Sequence, residues 1–217
     1  MNEKDSFKPY VSADKVLPEL TPVSIIVGVL LAVVFGAANA YLGLKVGMTV
    51  SASIPAAVLG MGVIRFVMRR NSILESNMVQ TIGSAGESLA AGAIFTMPAL
   101  FLWAKEGIGT MPDMLEITII ALFGGLLGIF FMVPLRRALI VKEHGVLPYP
   151  EGMACAEVMM AGEKGGSSAK TVFSGMGLGA AFKFIVDGLK IVPSDIATPN
   201  IKGYAGQIGV EIYPALI

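Results

Sequence analysis

Residues 71–103 have the sequence NSILESNMVQTIGSAGESLAAGAIFTMPALFLW, which is apolar enough to cross a membrane and carries Glu87 near its middle. Between Met78 and Leu102, Glu87 is the only ionisable side chain. At a helical rise of about 1.5 Å per residue it lies about 14 Å from Met78, near the midplane of a hydrocarbon core about 30 Å thick. A charge at that depth costs about 2.5–3.5 kcal/mol, so we expect Glu87 to face a cavity, a partner or a transported species.

Polar residues around Glu87 recur at three- and four-residue spacing, which places them on one face of a helix. They are Asn77, Gln80, Thr81, Ser84 and Ser88. Gly83 and Gly86 permit either close packing by a neighbouring helix or a local helix break whose backbone lines a cavity. The structural alternative is that Glu87 is a neutral, hydrogen-bonded acid that only holds helices together.

The composition is typical of a polytopic membrane protein, with 54% hydrophobic and 15% charged residues and a mean hydropathy of +0.73. Sixteen basic and sixteen acidic residues cancel, so no basic surface predicts a nucleic-acid partner. The single cysteine, Cys155, and the single histidine, His144, exclude an internal disulfide and a two-histidine metal cluster. No GxxxxGK[ST] pattern is present, so we expect no cofactor, no metal site and no nucleotide-driven pumping by this chain.

Apolar runs predict an all-α, polytopic transmembrane protein with about five to six spans. The predicted spans are 21–44, 48–68, 78–103, 115–135 and 171–192, with the start of another at 208–217. That apolar ending predicts a fragment of a longer protein, the N-terminal part of a larger helical bundle.

Charge predicts the orientation of these spans. Residues 1–20 lack the features of a secretory signal and are predicted to be a cytosolic lead-in. Basic clusters end the second and fourth spans, so those ends and the N-terminus are predicted to be cytoplasmic. The clusters are Arg65, Arg69 and Arg70, and Arg136, Arg137 and Lys142.

Prolines mark two candidate sites of helix breaking or gating. Pro55 removes a backbone donor within the second span and predicts a kink or break near Ser51 and Ser53, as in broken helices that line transporter sites. Near the end of the first span, Asn39 either bonds another helix or contacts a ligand.

The proline-rich element at 144–162 predicts a short helix, which is re-entrant, interfacial or part of a cytosolic loop. Its Tyr149 and Glu151 either gate the cytoplasmic side or form a structural turn.

Lys183 and Asp187 are four residues apart in the fifth predicted span. At this spacing opposite charges can neutralise each other on one helical face. We interpret them as a structural ion pair, with a role in transport as the alternative.

Three stretches carry a resemblance to a known family: NAYLGLKVGMTVSASIPAAVL from Asn39, ILESNMVQTIGSAGESLAAGAIFTMPAL from Ile73, and LPYPEGMACAEV from Leu147. The chain resembles the N-terminal portion of a prokaryotic-type member of the oligopeptide transporter family, which includes the yellow-stripe-like metal-chelate transporters. The resemblance implies a larger helical bundle with internal repeats, located in the bacterial cytoplasmic membrane.

The resemblance also implies a secondary active transporter and not an enzyme. Its substrates would be small oligopeptides or peptide-like metal chelates, moved by a proton gradient as the energy source. Its partners would be that substrate, the lipid bilayer and the remaining C-terminal helices. Glu87, Ser84, Ser88, Gln80 and Asn39 are the candidates for substrate binding or proton coupling. The alternatives are a non-catalytic membrane assembly subunit or an intramembrane enzyme, although the latter needs a catalytic partner for Glu87 that the sequence does not reveal.

Overall fold

The structure is a computed structural model that describes residues 9–12, 14–70, 72–164, 166–193, 196–197, 201–203, 206–208 and 211–212. The chain forms two compact units, Met1–Lys164 and Gly165–Ile217. The first unit contains five helices, α1 to α5. They are α1 (Pro22–Val46), α2 (Ser53–Gly62), α3 (Ile73–Lys105), α4 (Met114–Arg136) and α5 (Pro150–Lys164). Helix α2 continues as a π-helical turn, Val63–Val67, and α4 as another, Arg137–Lys142.

The predicted class, a polytopic all-α protein, is confirmed. Among the described residues three helices are long and apolar enough to cross a membrane: Pro22–Val46, Ile73–Lys105 and Met114–Lys142. The second predicted span, 48–68, is not a full-length helix. Only Ser53–Val67 is helical, and residues 48–52 are not helical. The helix starts just before Pro55, where a missing N–H costs no hydrogen bond.

Helices α1 and α3 pack closely and in parallel. A side-chain carbon placed on Gly28 would meet Ile82, one on Gly36 would meet Gly86, and one on Gly43 would meet Ile94. Close approach of this kind needs small residues at the contact, as in membrane helix pairs generally. The glycines of α1 therefore allow the two helices to meet at three successive levels.

The core of the first unit lies between α2, α3 and α5. Ala56, Ala57, Val58 and Ile64 of the α2 segment are buried together with Val79 of α3. Helix α5 joins this core through Gly162, which lies against the sulfur of Met61. By contrast, no residue of α4 is buried in the described structure.

Gly83 and Gly86 do not break α3, which is one continuous helix from Ile73 to Lys105. Of the two alternatives predicted for these glycines, a helix break or close packing by a neighbouring helix, the structure shows close packing. A Cβ on Gly83 would lie 3.3 Å from the Cβ of Ala56, and one on Gly86 would lie 2.2 Å from the carbonyl oxygen of Ala32. The backbones of α1 and α3 thus meet at the depth of Glu87.

The second unit contains α6 (Gly166–Lys183), a π-helical turn (Phe184–Gly188) and four short strands. The predicted pair is present, with Lys183 Nζ 2.8 Å from Asp187 Oδ2. Strand β1 (Ile196–Ala197) pairs antiparallel with β4 (Glu211–Ile212), and β2 (Ile201–Gly203) with β3 (Gly206–Ile208).

The described residues of 208–217, the predicted start of another span, are extended and not helical. Apolar and polar or glycine positions alternate from Gln207 to Ile212, which is a strand period and not a helical one. Residues 209–210 and 213–217 lie outside the described part of the chain.

Candidate functional site

The non-helical segment 48–52 is the centre of the candidate site. Helix α1 is capped by Gly47, which adopts a left-handed φ of 74°, and five residues without regular secondary structure then lead to the start of α2. The N-cap residue of α2, Ala52, supplies no capping side chain. The backbone groups of this segment therefore need partners from other helices.

Glu87 supplies the missing cap from α3. Its Oε2 accepts a hydrogen bond from the backbone N–H of Ala52 at 2.5 Å. The N-terminal end of a helix carries a partial positive charge, so a carboxylate is favourable there. The sequence predicted that Glu87 would face a cavity or a partner, and the structure places its carboxylate on the start of a broken span.

Asn39 binds the same segment from α1 and is buried. Its side-chain nitrogen donates to the carbonyl of Val50 at 2.9 Å, and its side-chain oxygen accepts from the Val50 N–H at 3.0 Å. Of the two alternatives predicted for Asn39, the structure shows bonding within the protein. Because both ends of the amide are engaged, Asn39 positions the segment.

Glu151 approaches from α5, where its Oε1 accepts a hydrogen bond from the Ser51 hydroxyl. Hydrogen bonds from Ser51 and Ser53 lower the pKa of Glu151 below its ordinary value. Burial raises the pKa of the nearby Cys155 thiol, and the negative charges of Glu151 and Glu87 raise it further. Two carboxyl groups from different helices therefore lie around one stretch of unwound chain.

The other predicted ligands have partners within their own helix. Ser84 donates to the carbonyl of Thr81 at 3.3 Å, and Ser88 donates to the carbonyl of Ser84 at 3.1 Å. Gln80 accepts a long hydrogen bond, 3.4 Å, from Thr81. These three side chains share the helix of Glu87 but do not contact the segment 48–52 through any described hydrogen bond.

Tyr149, the remaining gating candidate, donates to the carbonyl of Leu139 at 3.0 Å. This bond ties the entry of α5 to the end of α4. The short helix predicted in 144–162 is present as Pro150–Lys164, and it packs against α2 and α3. The element is therefore not a detached loop.

A buried carboxyl group on α3, Glu75, was missed from the sequence. It is fully buried, and its Oε1 accepts from the hydroxyl of Thr21 at 2.7 Å and lies 3.2 Å from Arg70 Nη1. Its Oε2 has no hydrogen-bond partner among the described residues. The sequence contains Ser72-x-x-Glu75, which is a helix-capping pattern, and Ser72 caps α3 in the structure. That pattern does not reveal that the carboxylate turns towards Thr21 and Arg70.

Helices α1 and α3 pack against the half-length helix α2, and the start of that helix is held by Asn39 and Glu87. Together with α4, the described residues contain three helices long and apolar enough to cross a membrane. These features define an integral membrane protein of the broken-helix type. A family model described as OPT oligopeptide transporter protein matches residues 19–216. The chain belongs to this family, and the resemblance found in the sequence is confirmed.

One curated relative is a Haemophilus influenzae (strain Rd) protein named "Putative oligopeptide transporter". The two are 42% identical over 156 residues, which cover 70% of this chain and 23% of the relative. The chain thus spans about a quarter of the length of the relative that it matches. No solved structure matches the chain.

Proposed function

We propose that the intact protein is a secondary active transporter that moves small oligopeptides across the bacterial cytoplasmic membrane together with protons. Family membership and the name of the Haemophilus relative support the transport of peptides. The observation that carries the proposal is the hydrogen bond between Glu87 and the N–H of Ala52. It places an acid that can gain or lose a proton on the start of a half-helix inside an apolar span.

The proposed coupling follows from what that bond does to α2. An ionised Glu87 makes a charge-assisted hydrogen bond, roughly twice as strong as a neutral one. Protonation removes the charge and weakens the bond to Ala52, so the backbone N–H and the positive end of α2 become available to another anion. The carboxylate of a peptide has the required charge. Loss of the proton from Glu87 returns its carboxylate to Ala52 and favours release of the peptide.

Other side chains supply the remaining peptide contacts in this scheme. Ser84, Ser88 and Gln80 lie on the same helix as Glu87. Their hydroxyl and amide groups can give up a hydrogen bond within the helix and form a hydrogen bond to a peptide amide instead. Glu151, whose low pKa keeps it negative, offers a partner for the peptide's amino group. Asn39 holds the backbone in place and does not leave it.

The test is uptake of tri- to pentapeptides into proteoliposomes that contain the intact protein, with and without an inward proton gradient. We expect gradient-driven uptake by the wild type and its loss in Glu87→Gln, which keeps the size of the side chain and cannot ionise. The matched control is Glu116→Gln, which removes an acid from the exposed start of α4. It should transport at the wild-type rate.

Three outcomes would change the proposal. Uptake retained by Glu87→Gln would leave a peptide transporter in which Glu87 only packs. Uptake of peptide-like metal chelates instead of peptides, measured in the same vesicles, would change the substrate class. No uptake of either would favour the second candidate, an assembly subunit, which the exposed α4 supports because a helix exposed on every side is suited to binding partner helices.

A further inference from the structure

Glu75 and Glu87 of α3 act on opposite ends of one helix. We propose that the helix Ser53–Val67, here called the clamped helix, is held at both ends by α3, and that loosening one end loosens the other. Glu75 is then a positioning residue that sets how readily the start of the clamped helix leaves Glu87. This inference rests on the proposed function, because it concerns how a transporter would release its site.

The first clamp is at the start of the helix. Glu87 accepts from the N–H of Ala52 at 2.5 Å, and Asn39 makes two bonds to Val50. From the other side, α5 contributes Glu151, which accepts from Ser51. Each of these contacts is made to the non-helical segment 48–52.

The second clamp is just beyond the end of the helix. Arg70 lies three residues after Val67, and its guanidinium pairs with Glu75 at 3.2 Å. Thr21 of the α1 N-cap donates to the same oxygen of Glu75 at 2.7 Å. Here too α5 contributes from the other side, because the carbonyl of Gly162 accepts from Arg65.

The spacing on α3 is close to the length of the clamped helix. Glu75 and Glu87 are twelve residues apart, about 18 Å along a helix, and fifteen helical residues span about 22 Å. Since Glu75 and Glu87 belong to one continuous helix, the two clamps are linked through α3. The clamped helix cannot shift along its axis at one end without moving at the other.

The contacts between the clamps favour a shift of the whole helix over bending. A Cβ on Gly60 would lie 2.8 Å from Val79, so the middle of the helix is packed closely against α3. Interlocked surfaces of this kind have discrete arrangements and do not deform continuously. The second clamp is also incompletely satisfied, because Glu75 Oε2 is buried with no partner among the described residues. An unsatisfied buried oxygen lowers the cost of leaving this arrangement.

The test substitutes Glu75 or Arg70 in the second clamp and measures how accessible the segment held by the first clamp becomes. Met48 is 55% exposed at the start of the non-helical segment 48–52, so Met48→Cys, in the intact protein without its native cysteines, reports on that segment through its rate of reaction with a maleimide. We expect Glu87→Gln to raise this rate. Glu75→Gln and Arg70→Gln should each raise it about fivefold or more, the lower end of typical coupling between distant sites.

The matched control is Arg69→Gln, which removes an equal charge from the adjacent residue, for which the described structure records no ion pair. It should leave the rate unchanged. If Glu75→Gln aggregates, Arg70→Gln decides the test, because the Arg70 side chain is about half exposed (48%). Unchanged rates in Glu75→Gln or Arg70→Gln, when the protein is monodisperse, would overturn the coupling. Labelling needs no substrate, so a failure of the transport proposal would be seen separately, as absence of uptake.

Discussion

Two residues of the site, Asn39 and Glu87, hold the same short segment by different chemistry. The amide of Asn39 has both a donor and an acceptor and therefore satisfies both backbone groups of Val50. The carboxylate of Glu87 only accepts, so its bond to Ala52 depends on its charge. Asn39 is suited to hold the segment permanently, whereas Glu87 is suited to release it.

We expect Asn39→Ala to expose the backbone of Val50. The substitution removes two hydrogen bonds, each worth about 0.5–1.5 kcal/mol, and leaves the N–H and C=O of Val50 accessible to water, because Val50 is 49% exposed. Amide hydrogen exchange of a peptide covering 48–52 should become about tenfold faster or more. The control is Asn77→Ala on the exposed face of α3, for which exchange in 48–52 should not change. Equal exchange in both variants would contradict the role given to Asn39.

Gly86 gives a prediction about stability, because its neighbour is backbone and cannot rotate away. In Gly86→Ala the new Cβ would lie 2.2 Å from the carbonyl oxygen of Ala32, so α1 and α3 must separate. We expect the free energy of unfolding to fall by about 1–3 kcal/mol, measured as a lower thermal midpoint in detergent. Gly92→Ala, on the same helix with no neighbouring atom within 4 Å, should be neutral or slightly stabilising. A Gly86→Ala midpoint equal to that of Gly92→Ala would show that the helix contact is looser than described.

The sequence was sufficient to single out Glu87 and insufficient to find its partner. An ionisable residue in an apolar span can be recognised from the sequence alone. Its partner, the Ala52 N–H, lies thirty-five residues away in the chain and is a backbone group that no residue type identifies. Glu75 was missed for a related reason. Its position in a capping pattern explained it locally, and only the fold brings Thr21 and Arg70 to it.

At the scale of elements, the second span shows what hydropathy does and does not predict. Residues 48–68 are apolar enough to be predicted as one helix. Hydropathy, however, is a property of side chains and does not show at which residue the backbone hydrogen bonds of a helix begin. Pro55 predicted a break near Ser51 and Ser53, and in the structure residues 48–52 are not helical. The break therefore replaces the first part of the span, and this is what places a helix start beside Glu87.

The contact between α5 and α2 can be tested by substitution. Helix α5 packs on α2 at Gly162, where a Cβ would lie 1.7 Å from the sulfur of Met61. We expect Gly162→Val to push α5 away from the core and expose the buried Cys155, so that its thiol reacts faster with a maleimide. Gly152→Val places the same side chain at the exposed start of α5, where the nearest atom is 3.9 Å from a Cβ, and should leave the reaction slow. Slow reaction in both variants would mean that α5 does not depend on this contact.

For the whole molecule, charge and packing together predict the direction in which the helices cross the membrane. Helices α1 and α3 run parallel, so both start on the same side. Arginines at 65, 69 and 70 precede α3, and arginines at 136 and 137 lie at the end of α4. Lys105 at the end of α3 is followed by Glu106 and Asp113 in the connection to α4, so this region lacks a basic excess. The positive-inside rule therefore predicts that the N-terminus and both arginine clusters are cytoplasmic.

This orientation predicts which side of the membrane each connection faces. Ile108, 71% exposed between α3 and α4, should face out, and Glu143, just after the basic end of α4, should face in. With native cysteines replaced, Ile108→Cys in intact cells should react with a membrane-impermeant maleimide, and Glu143→Cys only after the membrane is permeabilised. The reverse pattern would place the basic ends outside, and labelling of both in intact cells would mean that α4 does not cross. Because α4 is followed by α5, which carries Glu151 to Ser51, the orientation also decides from which side Glu151 reaches the site.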